Sequence, residues 1–404
     1  MHVPVWHEAT KELWKRGEVQ VVGILEEQHP DRARLFIQWK QMDWPLMVDS
    51  LNLLEMPEVP VTLCMDEYGI IRFVNPPRND ASKLEEIFLS KTYEKPSGVP
   101  LARPAGPDLA RMKAAAASGS AVALRAYGNA LYLWGGPRRL NEAAEVYQRA
   151  LRLEPADGAT HFHLGVAYRR RYDSEDRQAG DFQRAVDEWK AALDTDPNQY
   201  IWRRRIQQYG PRLDKPYSFY DWVITARDDV RKRGEKPVPL AVEPGGAEFA
   251  QPSNGPDVSS AEREAPDPKG RIVRDKGKLI RVEAAVVPPT KATGLTARVH
   301  IEFRPNARLK AHWNNEVSPL AVWVEPLAGW QTNGRYFSVP NPPEAVSVEP
   351  RRVEFELKPP EGVASGVFSI PAYALYYVCE DVNGVCLYRR QDLQLAVKMG
   401  KAQN

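Results

Sequence analysis

The sequence predicts a multidomain protein: an α/β unit first, an all-α unit of paired helices in the middle, and an all-β sandwich last. Three observations carry this reading. Helical and strand periods alternate over the first 90 or so residues, a helical motif occurs twice between residues 127 and 197, and short β-rich runs punctuated by Pro, Gly and Asn fill the chain after residue 279. At 404 residues the chain also exceeds what a single hydrophobic core holds. The 43% hydrophobic and 27% charged residues are an ordinary globular mixture, while 35 prolines exceed the usual share of about 5% and belong in linkers and at strand edges. Lys and Arg total 55 against 53 Asp and Glu, so the net charge of +2 creates no field that would draw nucleic acid or an acidic membrane surface. No run of about 18 apolar residues occurs, and no basic-then-apolar start, so no membrane span is expected and the chain as written reads as soluble and cytoplasmic.

Taken in order, apolar positions from Val5 to Trp14 recur at helical spacing, and Gly17 stops that helix. Val19 to Leu25 reads as a buried strand and Asp31 to Met42 as an amphipathic helix. Val61 to Met65 and Ile70 to Val74 form a hairpin across Asp66-Glu-Tyr-Gly69. A Pro-rich stretch from Asn75 to Pro107, with a short helix near Ser82 to Lys91, leads into helical sequence as far as Arg233. Residues 234–278 are rich in Pro, Gly, Ser and charge with almost no aromatic residues, and are expected to be a flexible linker cut first by proteases between Val242 and Lys276. Ala297 to Phe303, Leu320 to Val324 and Arg352 to Leu357 are strand-like, with the spacing of an antiparallel sandwich.

In the helical region, Tyr127-Gly-Asn-Ala-Leu131 followed by Ala143, Tyr147, Ala150 and Pro155 recurs as Leu164-Gly-Val-Ala-Tyr168 followed by Ala185, Trp189, Ala192 and Pro197. Small residues let paired helices approach, aromatic residues fill the space between pairs, and the proline ends the second helix. The motif resembles the tetratricopeptide repeat, with insertions in the turns at Gly136-Pro-Arg138 and around Tyr172 to Gln178. That resemblance implies a helical domain over residues 108–233 and a groove for a protein client. Val122, Arg125, Asn129, Tyr132 and Leu133 would line it from the first copy, and Ala159, Phe162, Val166, Arg169 and Arg170 from the second. The alternative reading is a spacer whose groove packs on neighbouring parts of the chain, because free-standing arrays usually need three or more repeats. The runs Arg169-Arg-Arg171 and Arg203-Arg-Arg205 read as solvated helix faces.

The order helix, strand, helix, then Val59-Pro60 before a hairpin with an Asp-x-x-Gly turn, resembles the thioredoxin-like fold of the redoxins over residues 1–95. The resemblance implies a cis Pro60, whereas a trans proline at a strand start is the commoner reading of the residues alone. It also implies a central strand and a Cys-x-x-Cys pair ahead of the first helix, both missing from this sequence, so the unit is read as incomplete, with a gap in the middle of its sheet. From this comes the expectation that Met1 is not the natural start, or that the chain is trimmed from a longer, periplasmic or otherwise extracytoplasmic protein. Cys64, inside a predicted strand, reads as a small buried hydrophobe. His7-Glu-Ala-Thr-Lys11 lacks the second histidine of a zinc-protease helix and reads as ordinary helix surface.

Near the C-terminus, two strand-like runs carry Cys379 and Cys386 and flank Asn383-Gly384, a hairpin signal. A two-residue turn at Asn383-Gly384 would set Cys379 opposite Tyr388; a six-residue loop would set the cysteines opposite each other, and either approaches the separation of about 4.4 to 6.8 Å that a disulfide needs. The pair can therefore be an exchanging disulfide, a structural one, or two thiols. A sandwich ending in Val-Cys, six residues, then Cys-Leu resembles the alpha domain of the DsbD thiol-disulfide interchange protein, here over residues 279–400. That resemblance implies an immunoglobulin-like fold in which Cys379 and Cys386 are the catalytic pair, exchanging electrons with a thioredoxin-like partner. Ala311 to Glu316 could cap this site or be a turn satisfied by its own Asn side chains. His300 and His312 lack metal-ligand spacing, so no metal and no cofactor is expected. Together these readings predict a redox-linked adaptor, with a non-enzymatic scaffold as the alternative.

Overall fold

The computed structural model describes residues 3–56, 59–75, 81–97, 106–211, 220–249, 264–290, 295–380 and 386–399. It is a mixed α/β multidomain chain that divides into two compact units: residues 1–176 with 188–205 and 221–243, and residues 177–187 with 206–220 and 244–404. Among the described residues no helix is long and apolar enough to cross a membrane.

The first unit opens with α1 (Val3–Lys15), β1 (Gly23–Leu25), α2 (Pro30–Lys40) and β2 (Leu46–Val48). Leu13 and Trp6 of α1 pack with Cys64, Phe73, Leu84 and Phe88 in a small core. Pro30 opens α2, where a missing N–H costs nothing, and Gln41 ends it in the left-handed region at φ 50°. The strand expected from Val19 to Leu25 is only β1, because Val19 belongs to the small core instead. Its partner β2, parallel and three residues long, is too short to have shown a period in the sequence. The hairpin is β3 (Leu63–Met65) with β4 (Ile71–Val74), as the sequence indicates. Asp66 organises its turn by accepting from the N–H groups of Tyr68 and Ile70 at 2.9 Å and from Arg72 at 2.6 Å. The Val59–Pro60 bond is cis. Among the described residues β1–β2 and β3–β4 are separate two-stranded sheets. A short helix, α3 (Ala81–Leu84), continues as a π-turn over Glu85–Leu89.

The helices that follow are α4 (Leu109–Ala116), α5 (Ala121–Trp134), α6 (Leu140–Leu153), α7 (Gly158–Tyr172), α8 (Asp181–Thr195), α9 (Tyr200–Gln207) and α10 (Trp222–Lys232). Asp108, Ser120 and Asp157 cap the starts of α4, α5 and α7 by accepting from backbone N–H groups. The insertion at Gly136-Pro137-Arg138 falls between α5 and α6, where Pro137–Arg139 form a 3-10 turn. Helices α5 and α6 meet at Gly128, where a Cβ would stand 2.5 Å from the ring of Tyr147, itself fully buried. Helix α8 divides between the units, its residues from 188 onward belonging to the first.

The second unit holds β5 (Ile280–Val287), β6 (Ala297–Pro305), β7 (His312–Asn314), β8 (Leu320–Val324), β9 (Gln331–Thr332), β10 (Tyr336–Val339), β11 (Val346–Ser347), β12 (Arg351–Lys358), β13 (Gly366–Cys379) and β14 (Cys386–Met399). One antiparallel sheet runs β5-β6-β12-β9; the other runs β10-β8-β13-β7-β11, with β14 paired to β13. Val299, Ile301, Val353 and Phe355 of the first sheet share one core with Trp313, Val322, Phe337 and Tyr376 of the second. The alternation along β12 shows why: Val353, Phe355 and Leu357 face the core while Arg352, Glu354 and Glu356 face outward.

Those outward residues form a charged ladder. Glu302 on β6 accepts from Arg304 at 2.9 Å and Arg352 at 3.0 Å, and also from Arg177. His300 Nδ1 lies 3.1 Å from Glu354, which also accepts from Arg298 at 2.7 Å.

The linker expected over residues 234–278 differs from what is seen on both sides of 250–263, which lie outside the described residues. Val238 N–H donates to Gln38 at 2.9 Å. Ala265 and Ile272 pack on Trp323, Tyr373 and Leu375, and Asp267 pairs with Arg390 at 2.9 Å. Arg390 also exchanges backbone bonds with Val273 and Asp275, both 2.9 Å. This stretch is held by Asp side chains, backbone pairing and scattered apolar anchors such as Ala265 and Ile272 rather than by a periodic apolar face, so composition alone reads it as linker.

Candidate functional site

Cys379 ends β13 and Cys386 begins β14, and their sulfurs are bonded in a disulfide with Cα atoms 4.1 Å apart. The two residues are directly opposite in a ladder that continues to Gly366 opposite Met399. The six-residue-loop register is therefore the one adopted. The pairing of Cys379 with Tyr388, required by a two-residue turn at Asn383-Gly384, is not seen; those two turn residues lie outside the described part. Tyr377 is opposite Tyr388 instead, with ring centroids 4.4 Å apart.

On its other side Cys379 is opposite His312 of β7. Residues directly opposite share a face, so His312, Cys379 and Cys386 form one row across three strands. Trp313 and Val378, next to them in sequence, point into the shared core, so the row lies on the other face of the sheet. The two cysteines differ sharply in surroundings: Cys379 is 1% exposed, whereas Cys386 is exposed. His312 is half-buried, its Nδ1 lying 3.4 Å from the carbonyl of Lys310. The neighbouring asparagines satisfy local backbone, Asn314 accepting from Glu316 N–H at 3.1 Å and Asn315 donating to the Glu344 carbonyl at 2.8 Å. His300 sits on the other sheet in the charged ladder, so the two histidines do not converge on the cysteines. Among the described residues no group of three or more His, Cys, Asp or Glu is arranged to hold a metal. Cys64 is buried, and burial pushes its thiol pKa up, away from the reactive thiolate.

The helical residues assigned to a client groove do come together, but the chain itself engages them. Arg125 donates to Asp157 at 2.5 Å, and Asn129 accepts from the Tyr147 hydroxyl at 2.8 Å. Tyr132 is buried and shares a 2.9 Å hydrogen bond with Ser50, and Arg170 lies over its ring while donating to its carbonyl. Phe162 is fully buried, stacked on Trp202 and faced by the Arg205 guanidinium. Arg169 is buried against Asp173 at 3.1 Å. Val166 is buried with its carbonyl accepting from Gln28. Val122 stays exposed, and Leu133 and Ala159 are half-buried.

Segments after β1 and β2 fill this face. Arg205, 2% exposed, donates to Gln28 at 2.5 Å and to the Ser50 carbonyl at 3.3 Å. The sequence reading placed Arg169, Arg171 and Arg205 on solvated faces; all three are buried, because carboxylate, amide and aromatic partners replace their water. Gln28 and Ser50 were not singled out from sequence, and nothing in their local pattern marks them. Beside them sits Glu26, neither of whose carboxylate oxygens has a hydrogen-bond partner among the described residues. Burial, then repulsion from Asp49, pushes its carboxyl up to about 8 against the opposing charge of Arg205. His7, read as helix surface, is tied to Asp43 at 2.8 Å.

No protein-family model matches the chain, and no curated protein matches it.

Proposed function

We propose that the second unit is a thiol–disulfide exchange module with Cys379 and Cys386 as the reacting pair, the role implied by its resemblance to the DsbD alpha domain. The observation that carries the reading is the asymmetry of the cystine, with Cys386 an exposed residue and Cys379 a buried one. A partner thiolate attacks Cys386 Sγ, and the bond to Cys379 breaks with its electron pair on Cys379 Sγ. A second partner thiol then attacks its own sulfur in the mixed disulfide, releasing reduced Cys386 and leaving the partner oxidised.

The position of the bond favours exchange over a purely structural role. It closes a loop of only eight residues, counting both cysteines, which a chain-entropy estimate values at about 2.5 kcal/mol against about 4.7 for a 100-residue loop. The same two strands are already held by a ladder reaching from Cys379 to Gly366. A staple there contributes about half of what one closing a 100-residue loop would.

In this reading the helices form a tetratricopeptide-like platform, and the N-terminal segment is a thioredoxin-like unit whose described strands form two separate pairs. The second reading, a non-enzymatic scaffold with a structural disulfide, is favoured by the internal occupation of the helical groove. Equilibration of the intact chain with glutathione separates the two. A reduction potential near about −200 mV supports exchange, and one well below about −300 mV refutes it.

A further inference from the structure

Resting on the exchange reading, we infer that His312 is the group that stabilises the charge left on Cys379 when the cystine opens, by donating a hydrogen bond to its sulfur. Attack on exposed Cys386 makes buried Cys379 the leaving sulfur, and a thiolate formed at 1% exposure has lost nearly all its water. Desolvation raises the cost of that charge unless a donor replaces the solvent.

Among the described residues, His312 is the titratable side chain set directly opposite Cys379 on the strand away from Cys386. Opposed residues on one face hold their Cβ atoms about 4.5 to 5.5 Å apart, within reach of an imidazole. The 3.4 Å contact with the Lys310 carbonyl occupies Nδ1, and Nε2 has no hydrogen-bond partner among the described residues. Tyr377 and Tyr388, on the same face, stack on each other one step further along the ladder, and Asn314 accepts from Glu316 N–H. The balanced step is therefore attack at Cys386 Sγ, cleavage of the disulfide with its electron pair on Cys379 Sγ, and capture of that charge by the Nε2–H of the His312 imidazolium, which stays hydrogen-bonded to Cys379 and so stabilises the reduced state as well as the leaving step.

The test compares wild type, His312→Gln and His312→Lys in the intact chain, using reduced glutathione as the thiol. His312→Gln is expected to slow opening of the cystine at least about tenfold. It also shifts the equilibrium with glutathione about tenfold toward the disulfide, about 30 mV for a two-electron couple. His312→Lys, which keeps a cationic donor, recovers at least half of both effects. If wild type exchanges while His312→Gln matches it in rate and potential, the assignment of His312 fails and the exchange reading stands. If wild type itself resists glutathione below about −300 mV, the exchange reading fails and takes this assignment with it.

Discussion

Replacing Glu302 by Gln tests whether the charged ladder on the outer face of the β5-β6-β12-β9 sheet is held by charge or merely by shape. Glu302 is 4% exposed and accepts from three arginines. Burial alone pushes its carboxyl pKa up; the charges of Arg352 and Arg177, with hydrogen bonds from Arg177 and Arg304, outweigh burial and hold it at about 2 instead of 4.5. At about 1.4 kcal/mol per tenfold change in proton affinity, the ionised form contributes about 3 kcal/mol. Because the folded value is depressed, this contribution is fully present above the unfolded value and is lost as pH falls through the folded one. It stands at about 3 kcal/mol at pH 7, about 1 at pH 3 and under about 0.5 at pH 2.

Glutamine has the shape of the protonated acid, so Glu302→Gln removes the charge and little else. Hydrogen exchange of the β6 and β12 amides in the intact chain, corrected for intrinsic rates, reads the loss locally. Protection is expected to fall about 150-fold at pH 7, a figure equivalent to about 3 kcal/mol, and to match wild type within about twofold at pH 2. An equal deficit at both pH values would show that side-chain fit rather than charge holds the ladder. No deficit at pH 7 would show that the arginines are equally well served by water.

Two further perturbations probe the first unit. Gly128→Ala gains about 1 kcal/mol of helix propensity, but its Cβ meets the Tyr147 ring at 2.5 to 2.9 Å. Tyr147 is fully buried and bonded to Asn129, so overpacking of about 1–3 kcal/mol wins and the urea midpoint falls; a raised midpoint refutes this. Glu26→Gln acts in the opposite sense with pH, since a carboxyl raised to about 8 in the fold is penalised increasingly as pH climbs from its unfolded value toward 8. The variant should be more stable than wild type by on the order of 4 kcal/mol at pH 8 and indistinguishable at pH 4, and a gain that is equal at both pH values refutes the titration.

The sequence by itself determined the succession of α/β, helical and β-rich segments, the helices between residues 108 and 233, the hairpin at Asp66 and the strands around Ile301, Val322 and Phe355. Each of these rests on a local period or a local turn residue, which the chain carries wherever it folds. The cysteine pair was legible as a cross-strand pair for the same reason, but its register was not. Asn383-Gly384 favours one pairing locally, whereas the ladder from Gly366 to Cys379 sets another and buries a full face of β13 in doing so. Only the tertiary structure decided that His312 stands beside Cys379, that Asp267 and Asp275 tie a charged, Pro-bearing stretch to β14, and that Gln28 and Ser50 fill the face expected to hold a client. These are pairings between residues far apart in sequence, made by polar groups with no periodic signature. The burial of Arg205 shows the reason most clearly: an arginine reads as surface until the structure supplies the amide, the carbonyl and the aromatic ring that take the place of its water.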